Sequence, residues 1–269
     1  MSQPLESQVH CASQKARNLL GQLGPLVWAL HEAHASVVSR AILLSVDPQT
    51  YVRIAVCDPG DARRNGVVAD LESLRRGVSF EEAPRLFKSD GLRDTVNRSV
   101  IVYAVAVLEQ FLDGAGREVY KREGEDESKW PDSFGKRVGC LRCVGIGLQK
   151  CEHYPQAALL ALYRHKIVHV DAQVDEKLVC QLAGLDEGTG RQFQFRLSDD
   201  ESSVVWVRSG GEKLSSLWAG KRLSLAVDEV VLPLLQGAQA FVGEAECAIS
   251  THVRRTEVSH DRTQGGLDE

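Results

Sequence analysis

The chain has 269 residues, of which 43% are hydrophobic and 26% are charged, and its net charge is −5. These fractions are typical of a folded globular protein and exclude a wholly disordered or collagen-like chain. The chain has 37 acidic and 32 basic residues. This balance argues against a protein that coats nucleic acid nonspecifically, but it allows a local basic site. No apolar run approaches the roughly 20 residues that cross a bilayer. The first residues do not have the pattern of a secretory signal. The seven cysteines are scattered along the chain, which indicates reduced thiols. We therefore expect a cytoplasmic protein with no membrane span.

Residues 1–89 are predicted to form a mostly helical extension of unknown role that packs on the main domain. Gly24-Pro25 is typical of a helix start, and apolar residues then recur at helical spacing until Asp47-Pro48, a pair that favours a helix end. Three further short elements are predicted before residue 89: a strand at 51–56, a helix at 67–76 and a helix after the capping box at 79–82.

Residues 90–250 are predicted to form the main domain, a helical bundle, and residues 251–269 a polar tail. The periodicity of apolar residues predicts four helical segments, at 96–112, 134–148, 155–170 and 226–249. The charged segment 117–129 contains both signs and a glycine, so we interpret it as a solvated loop or a helix end.

The period of the pattern changes near residue 192. Polar and apolar residues alternate over 192–197 and, less strictly, over 203–208, and the polar segment 199–202 joins them. Alternation of this kind around a short polar loop predicts a β-hairpin at about 192–208. The predicted fold class is therefore mainly α: a helical bundle with an inserted β-hairpin and an N-terminal helical extension.

One part of the predicted helix at 155–170 concentrates cationic and titratable side chains. They are Arg164, His165, Lys166 and His169. The next acidic residue is Asp171. Adjacent positive groups repel one another unless an anion such as phosphate binds between them. On a helix, Arg164 and His169 lie ~140° apart around the axis and ~7.5 Å apart along it, with His165 between them. This arc suits a helix edge that faces a groove, which a second copy of the chain could close.

Imidazole and guanidinium groups in this arrangement fit metal-independent cleavage of RNA. A histidine accepts the proton of a ribose 2′-hydroxyl near neutral pH, and the 2′-oxygen then attacks the adjacent phosphorus. An arginine presents a planar set of donors to the negative charge that develops in the transition state. A second histidine protonates the leaving 5′-oxygen, so the product carries a 2′,3′-cyclic phosphate. We expect such a site to need no metal and no cofactor.

The sequence Arg164-His165-x-x-x-His169 resembles the Arg-x(4–6)-His signature of the HEPN superfamily, in which a polar residue follows the arginine. The order of elements around it is also similar to that family. A long helix that carries Glu109 precedes the motif, and another helix follows after a spacer. The resemblance extends over roughly residues 90–250.

Membership of this family implies a compact all-α domain, usually a homodimer in which two motifs meet across the interface. Many members are metal-independent endoribonucleases of toxin–antitoxin, anti-phage or abortive-infection systems, and the partner of such a toxin is often an adjacent nucleotidyltransferase-like antitoxin. By position, the resemblance makes Arg164 and His169 the catalytic pair and places His165 in the polar slot. Glu109 and Lys166 are candidate supporting residues, and RNA is the implied substrate.

Other interpretations of the same residues remain open. His165 and His169 lie four residues apart and can chelate zinc from one helix face, although the neighbouring cationic side chains oppose a metal ion. They can also cap or line a core surface. Some members of the family are inactive, so the domain can instead be a noncatalytic module that binds a nucleotide, RNA or a protein partner, which predicts binding without cleavage.

A second group of candidate ligands lies just before the motif. Cys140-x-x-Cys143, followed by Cys151 and His153, resembles a zinc ligand set in its spacing. The spacer after Cys143 is short, and the apolar residues around it continue a buried stripe. We therefore expect these cysteines to pack in the core as small hydrophobic residues, with zinc binding as the alternative.

Overall fold

A computed structural model of the chain describes residues 4–46, 91–170, 172–189, 193–199, 201–207 and 209–264. The elements predicted between residues 47 and 90, and the predicted boundary near residue 89, lie outside the described residues. The chain divides into two compact units: Met1–Pro25 together with Asn97–Glu269, and Leu26–Val96. The first 25 residues therefore belong to the same unit as the predicted main domain.

The described residues form six α-helices and one small sheet, which confirms the mainly α class. The helices are α1 (Leu5–Val46), α2 (Gly91–Arg122), α3 (Phe134–Cys143), α4 (Tyr154–Val170), α5 (Glu176–Thr189) and α6 (Leu232–Gln264). The strands are β1 (Gln194–Leu197), β2 (Ser203–Val207) and β3 (Arg222–Leu223). Short 3₁₀ turns lie at Glu127–Lys129, Leu148–Lys150 and Ser216–Trp218, and a π turn at Val227–Val231 leads into α6.

Helix α1 begins at Leu5, so the predicted start at Gly24-Pro25 is wrong. Pro25 lies inside the helix, although an interior proline removes a hydrogen bond and costs about 3 kcal/mol. Packing of the first part of α1 against α6 offsets that cost. Glu246 of α6 accepts hydrogen bonds from the Ser13 hydroxyl at 2.6 Å and from the Arg17 guanidinium at 3.0 Å.

Two helices run further than the apolar pattern predicts. Helix α2 continues to Arg122, through the first part of the charged segment, and Gly124 follows with a φ of +82°. Helix α6 continues to Gln264, so the first part of the predicted polar tail at 251–269 is helical as far as that residue. Arginine, lysine and glutamate are good helix formers and need no burial, so they extend a helix beyond its apolar stripe.

Helix α5 is not among the helices predicted above, although its sequence carries a signal for it. Asp175 caps it, because its carboxylate accepts a hydrogen bond from the Leu178 N–H at 2.7 Å. Leu178 and Leu182 lie one turn apart and are both buried. A cap followed by leucines at helical spacing is the signal that identifies this helix in the sequence.

The core of the first unit lies between α2, α4 and α6. Ile101, Leu108 and Phe111 of α2, Leu160 of α4 and Phe241 of α6 are at most 2% exposed. Burial of each such side chain contributes roughly 1.5–3 kcal/mol. The apolar stripes that predict these helices are therefore the stripes that form the core.

Helices α4 and α6 approach each other closely at Gly237. A Cβ atom added to this glycine would lie 2.5 Å from the Cβ of Gln156 on α4. The absence of a side chain at residue 237 thus sets the distance between the two helices. Three aromatic rings fill the space beside α3: the Phe134 ring centroid lies 6.3 Å from that of Tyr154 and 5.8 Å from that of Phe241.

The predicted β-hairpin is confirmed. Strands β1 and β2 pair antiparallel, with Phe195 opposite Trp206, and β3 adds parallel to β2. The sheet is connected to the end of α4, because the Leu223 N–H donates to the Ala172 carbonyl at 2.7 Å. Ala172 has a φ of +58°, and its N–H bonds the Lys166 carbonyl at 3.0 Å. This left-handed residue ends α4 next to the candidate motif.

One described helix, over Asp94–Arg122, is long and apolar enough to cross a membrane by length and composition alone. The core helix of a soluble protein passes the same test, and 56% of its apolar window is buried. It provides only weak evidence for a membrane span.

Candidate functional site

The structure places three of the predicted site residues in the lining of one cleft. The cleft has a volume of about 410 Å³ and lies between α2, the start of α3, α4 and α5. Its polar lining includes Glu109, Ser133, Arg164, His165 and Gln181. Arg164 and His165 are half-buried on adjacent positions of α4, and within the described residues Arg164 has no hydrogen bond or ion pair. No described residue thus occupies its five donors, which suits it to bind an anionic ligand.

His169 lies at the edge of this arrangement and is exposed. It is not part of the cleft lining, but its ring centroid lies 4.7 Å from that of His165, with an angle of 51° between the ring planes. His165 thus connects the cleft to His169, as expected for residues four apart on a helix.

The surroundings of His165 favour its neutral form. Burial lowers the pKa of its imidazole, and the positive charges of His169, Lys177, Lys166 and Arg164 lower it further. His165 is therefore predominantly neutral at neutral pH, since the ordinary value is 6.5. A neutral imidazole can accept a proton from a hydroxyl group.

The side chain of Lys166, a predicted supporting residue, is buried and paired away from the cleft lining. Its side chain is 1% exposed, and its ammonium lies 2.5 Å from both carboxylate oxygens of Asp175. Partial burial opposes ionisation of Asp175, but hydrogen bonds from Lys166 and the Leu178 N–H outweigh it and lower the pKa of that carboxyl. Lys166 does not line the cleft. Because Asp175 balances the charge of Lys166, the cationic cluster has one unbalanced charge fewer than the sequence indicates. The same ion pair connects α4 to the start of α5.

Glu109 lines the cleft and also stabilises the start of α3. Its carboxylate accepts a hydrogen bond from the Phe134 N–H at 3.2 Å, and its backbone carbonyl accepts one from Arg137. The Ser133 side chain, which precedes α3, makes no capping hydrogen bond. A carboxylate near a helix N-terminus is favourable, so the contacts of Glu109 indicate a positioning role at the cleft wall.

Gln181 is a cleft residue that the sequence pattern does not identify. It lies on α5, and its side-chain oxygen is buried with no hydrogen-bond partner within the described residues. A buried acceptor without a partner costs about 1–3 kcal/mol, and rotation of the Gln181 side chain toward the cleft would let its oxygen accept a hydrogen bond from a ligand hydroxyl or N–H group. Recognition of α5 would have been needed to place Gln181 at the site.

A second cleft adjoins the first. It has a volume of about 680 Å³ and shares Tyr154 and Leu185 with the first cleft. Arg142 and Lys150 line it, and both are exposed and form no ion pair in the described part of the chain. None of the described residues that line it is acidic. Two adjoining clefts with arginines in both are suited to an extended polyanion.

The described residues give no third metal ligand near His165 and His169. The one described group of three or more potential ligands contains Glu152, His153 and Glu244. It includes neither Cys140 nor Cys143. Cys140 is half-buried, whereas Cys143 is exposed, so the expectation of core packing is wrong for Cys143.

No known family model matches the chain, and no curated protein or solved structure matches it. The interpretation of the site therefore depends on its own residues and their geometry.

Proposed function

We propose that the protein is a metal-independent endoribonuclease with a HEPN-like domain. The observation that carries the proposal is that Arg164 and His165 line one cleft and that the His165 ring contacts His169. The Arg164 guanidinium, which has no ion pair among the described residues, can hold a phosphate, and the neutral His165 imidazole can accept a proton next to it.

In the proposed reaction His165 accepts the proton of a ribose 2′-hydroxyl. The 2′-oxygen forms a bond to the adjacent phosphorus, and the bond from phosphorus to the 5′-oxygen breaks. His169 donates a proton to that leaving oxygen, so one product ends in a 2′,3′-cyclic phosphate and the other in a 5′-hydroxyl. Arg164 stabilises the extra negative charge of the transition state. This assigns His165 a proton-accepting role in addition to its place in the motif.

The proposed substrate is single-stranded RNA that continues from the first cleft into the second. Tyr154 and Leu185 line both clefts, so the two clefts are adjacent. Arg142 and Lys150 would bind flanking phosphates there, which strengthens binding without reading sequence. Gln181 would hydrogen-bond the ribose or base at the first cleft.

The family resemblance adds proposals about assembly and context. We propose a homodimer in which a second copy brings its own motif to the edge at His169, which is exposed in the single chain. We also propose a role in a toxin–antitoxin or antiviral defence system. Its partner there would be an antitoxin or a nucleotidyltransferase-like protein in the cytoplasm.

Analysis of the RNA ends tests the proposed chemistry. Purified protein is incubated with RNA in EDTA, and we expect fragments with 2′,3′-cyclic phosphate and 5′-hydroxyl ends. Arg164→Ala should lower the rate by about 10²–10³, the usual loss for one group that stabilises a developing oxyanion. Arg255→Ala is the matched control, because Arg255 is an exposed arginine elsewhere on the first unit.

Two results would contradict the proposal. One is RNA fragments with other ends, and the other is equal cleavage by wild type and Arg164→Ala. RNA or nucleotide binding without any cleavage would support the noncatalytic alternative.

A further inference from the structure

A cluster of potential metal ligands joins the start of α4 to the middle of α6. Glu152 and His153 lie immediately before α4, and Glu244 lies on α6. One ligand atom from each of the three side chains lies within 4.8 Å of the others. The His153 Nδ1 lies 2.7 Å from one carboxylate oxygen of Glu244, and the His153 backbone N–H donates to the other at 3.0 Å. Two of the three ligands are thus held together by two separate contacts.

The charge around this cluster favours a cation. Two carboxylates accompany one imidazole, and within the described residues Glu244 pairs with His153 and with no arginine or lysine. Cys151 and Cys247, which flank the cluster in sequence, are free thiols. Neither belongs to the group of potential ligands, which therefore offers carboxylate oxygen and imidazole nitrogen donors.

We propose that Glu152, His153 and Glu244 bind a zinc ion. The imidazole nitrogen of His153 favours zinc over calcium and magnesium, which select oxygen ligands. Zinc binds imidazole nitrogen and carboxylate oxygen at about 2.0–2.2 Å in a tetrahedral arrangement, so neighbouring ligand atoms lie about 3.3–3.6 Å apart. Zinc would therefore replace the 2.7 Å contact between His153 Nδ1 and Glu244, and the Nδ1 proton would pass to solvent. Glu152 would exchange its present interaction in the folded chain for the metal.

Zinc at this position would connect α6 to the start of α4, the helix that carries the candidate ribonuclease motif. It would stabilise the folded chain, because an ion that binds only the folded state shifts the folding equilibrium. The motif from the sequence, Cys140-x-x-Cys143 with Cys151 and His153, contributes His153 as a ligand, while Cys140 and Cys143 are outside the cluster. The proposal is independent of the ribonuclease activity.

Zinc titration of the full chain tests this site. Wild type, freed of metal with EDTA and checked for its native circular dichroism, is titrated with zinc against a chromophoric chelator. We expect one tight site per chain, with a melting temperature raised by roughly 5 °C or more at a hundredfold excess of zinc over Kd. Glu244→Gln and His153→Gln should each weaken binding by tenfold or more, and 1 mM magnesium should not compete with zinc.

The control is His252→Gln. His252 is also a histidine paired with a glutamate, since its Nε2 lies 3.0 Å from Glu123, but it has no third potential ligand among the described residues. We expect wild-type zinc affinity for this variant. The proposal is overturned if folded wild type binds no zinc at micromolar concentrations. It is also overturned if Glu244→Gln, folded by circular dichroism, binds zinc as tightly as wild type.

Discussion

The imidazole rings of His165 and His169 lie one helical turn apart on α4, with their centroids separated by 4.7 Å. One ring is half-buried at the wall of a cleft that also contains Arg164, and the other is exposed. Burial and neighbouring positive charges lower the pKa of the His165 imidazole. A neutral imidazole at the cleft wall is suited to accept the proton of a ribose 2′-hydroxyl, which the proposed cleavage of RNA requires.

We predict that His165 titrates below the ordinary histidine value of 6.5. Burial and the positive charges around it, His169 first among them, lower its pKa. NMR titration of the imidazole resonances measures this directly. His169→Ala should move the pKa of His165 upward, because it removes a positive charge and exposes the ring. A His165 pKa at or above 6.5 in wild type would contradict the proposed proton acceptor.

The same shift predicts how stability depends on pH. A histidine whose pKa is lower in the folded state binds fewer protons there than in the unfolded state. Its contribution to stability is complete above pH 6.5 and is lost as the pH falls below that value. Urea unfolding at pH 7.5 and pH 5.5 should therefore show a smaller loss for His165→Gln than for wild type. An equal loss in both proteins would contradict this assignment.

The Lys166–Asp175 pair predicts an asymmetry between two substitutions. Asp175→Asn keeps the helix cap but leaves the buried ammonium without a counter-ion. We expect Asp175→Asn to lower the free energy of unfolding by about 2–3 kcal/mol. This is below the usual range for a fully buried pair, because the carboxylate is 37% exposed. Lys166→Met keeps the packed stem and leaves a carboxylate that water can reach, so we expect it to lower the free energy of unfolding by about 1 kcal/mol. Urea unfolding measures both, and an equal or larger loss in Lys166→Met would show that the buried ammonium does not depend on Asp175.

How far the sequence predicts this fold depends on whether the signal is local. The helix at 155–170 and the hairpin at 192–208 are correct because their periodicity lies in the residues themselves. The start of α1 is wrong because packing against α6 outweighs the local preference of Pro25. The same holds at the site. Adjacent cationic residues identify the helix edge, but nothing local indicates that Lys166 turns inward to Asp175 or that Gln181 reaches the cleft.

Glycine substitutions on α6 test the close approach to α4. Gly237→Ala should destabilise the protein by about 1–2 kcal/mol, because its Cβ would lie 2.5 Å from the Gln156 Cβ and the packing must shift. Gly243→Ala is the matched control, since its nearest neighbour would be Arg17 at 3.9 Å. We expect that variant to gain about 0.5–1 kcal/mol from better helix propensity. Thermal unfolding of both measures this, and a stabilising Gly237→Ala would contradict the helix packing.

The second cleft predicts a salt-dependent contribution to RNA binding. The double variant Arg142→Ala/Lys150→Ala should weaken binding of a noncleavable 2′-O-methyl RNA by about tenfold. It should also reduce the slope of log affinity against log salt by about 1.4, because each single-strand phosphate contact contributes about 0.7. Fluorescence anisotropy over a range of salt concentrations gives both values. Lys15→Ala, at an exposed lysine on α1, should change neither, and an equal effect of Lys15→Ala would contradict the proposed path.

The most direct test of the central claim is the rate of RNA cleavage, with EDTA present, by three histidine variants. We predict that His165→Ala and His169→Ala each lower the rate by about 10²–10⁴, the usual contribution of a positioned acid or base. His252→Ala, which changes a histidine on α6 that pairs with Glu123, should cleave like wild type. Cleavage by His169→Ala at the wild-type rate, in protein that is folded and free of contaminating nuclease, would contradict the proposed ribonuclease mechanism.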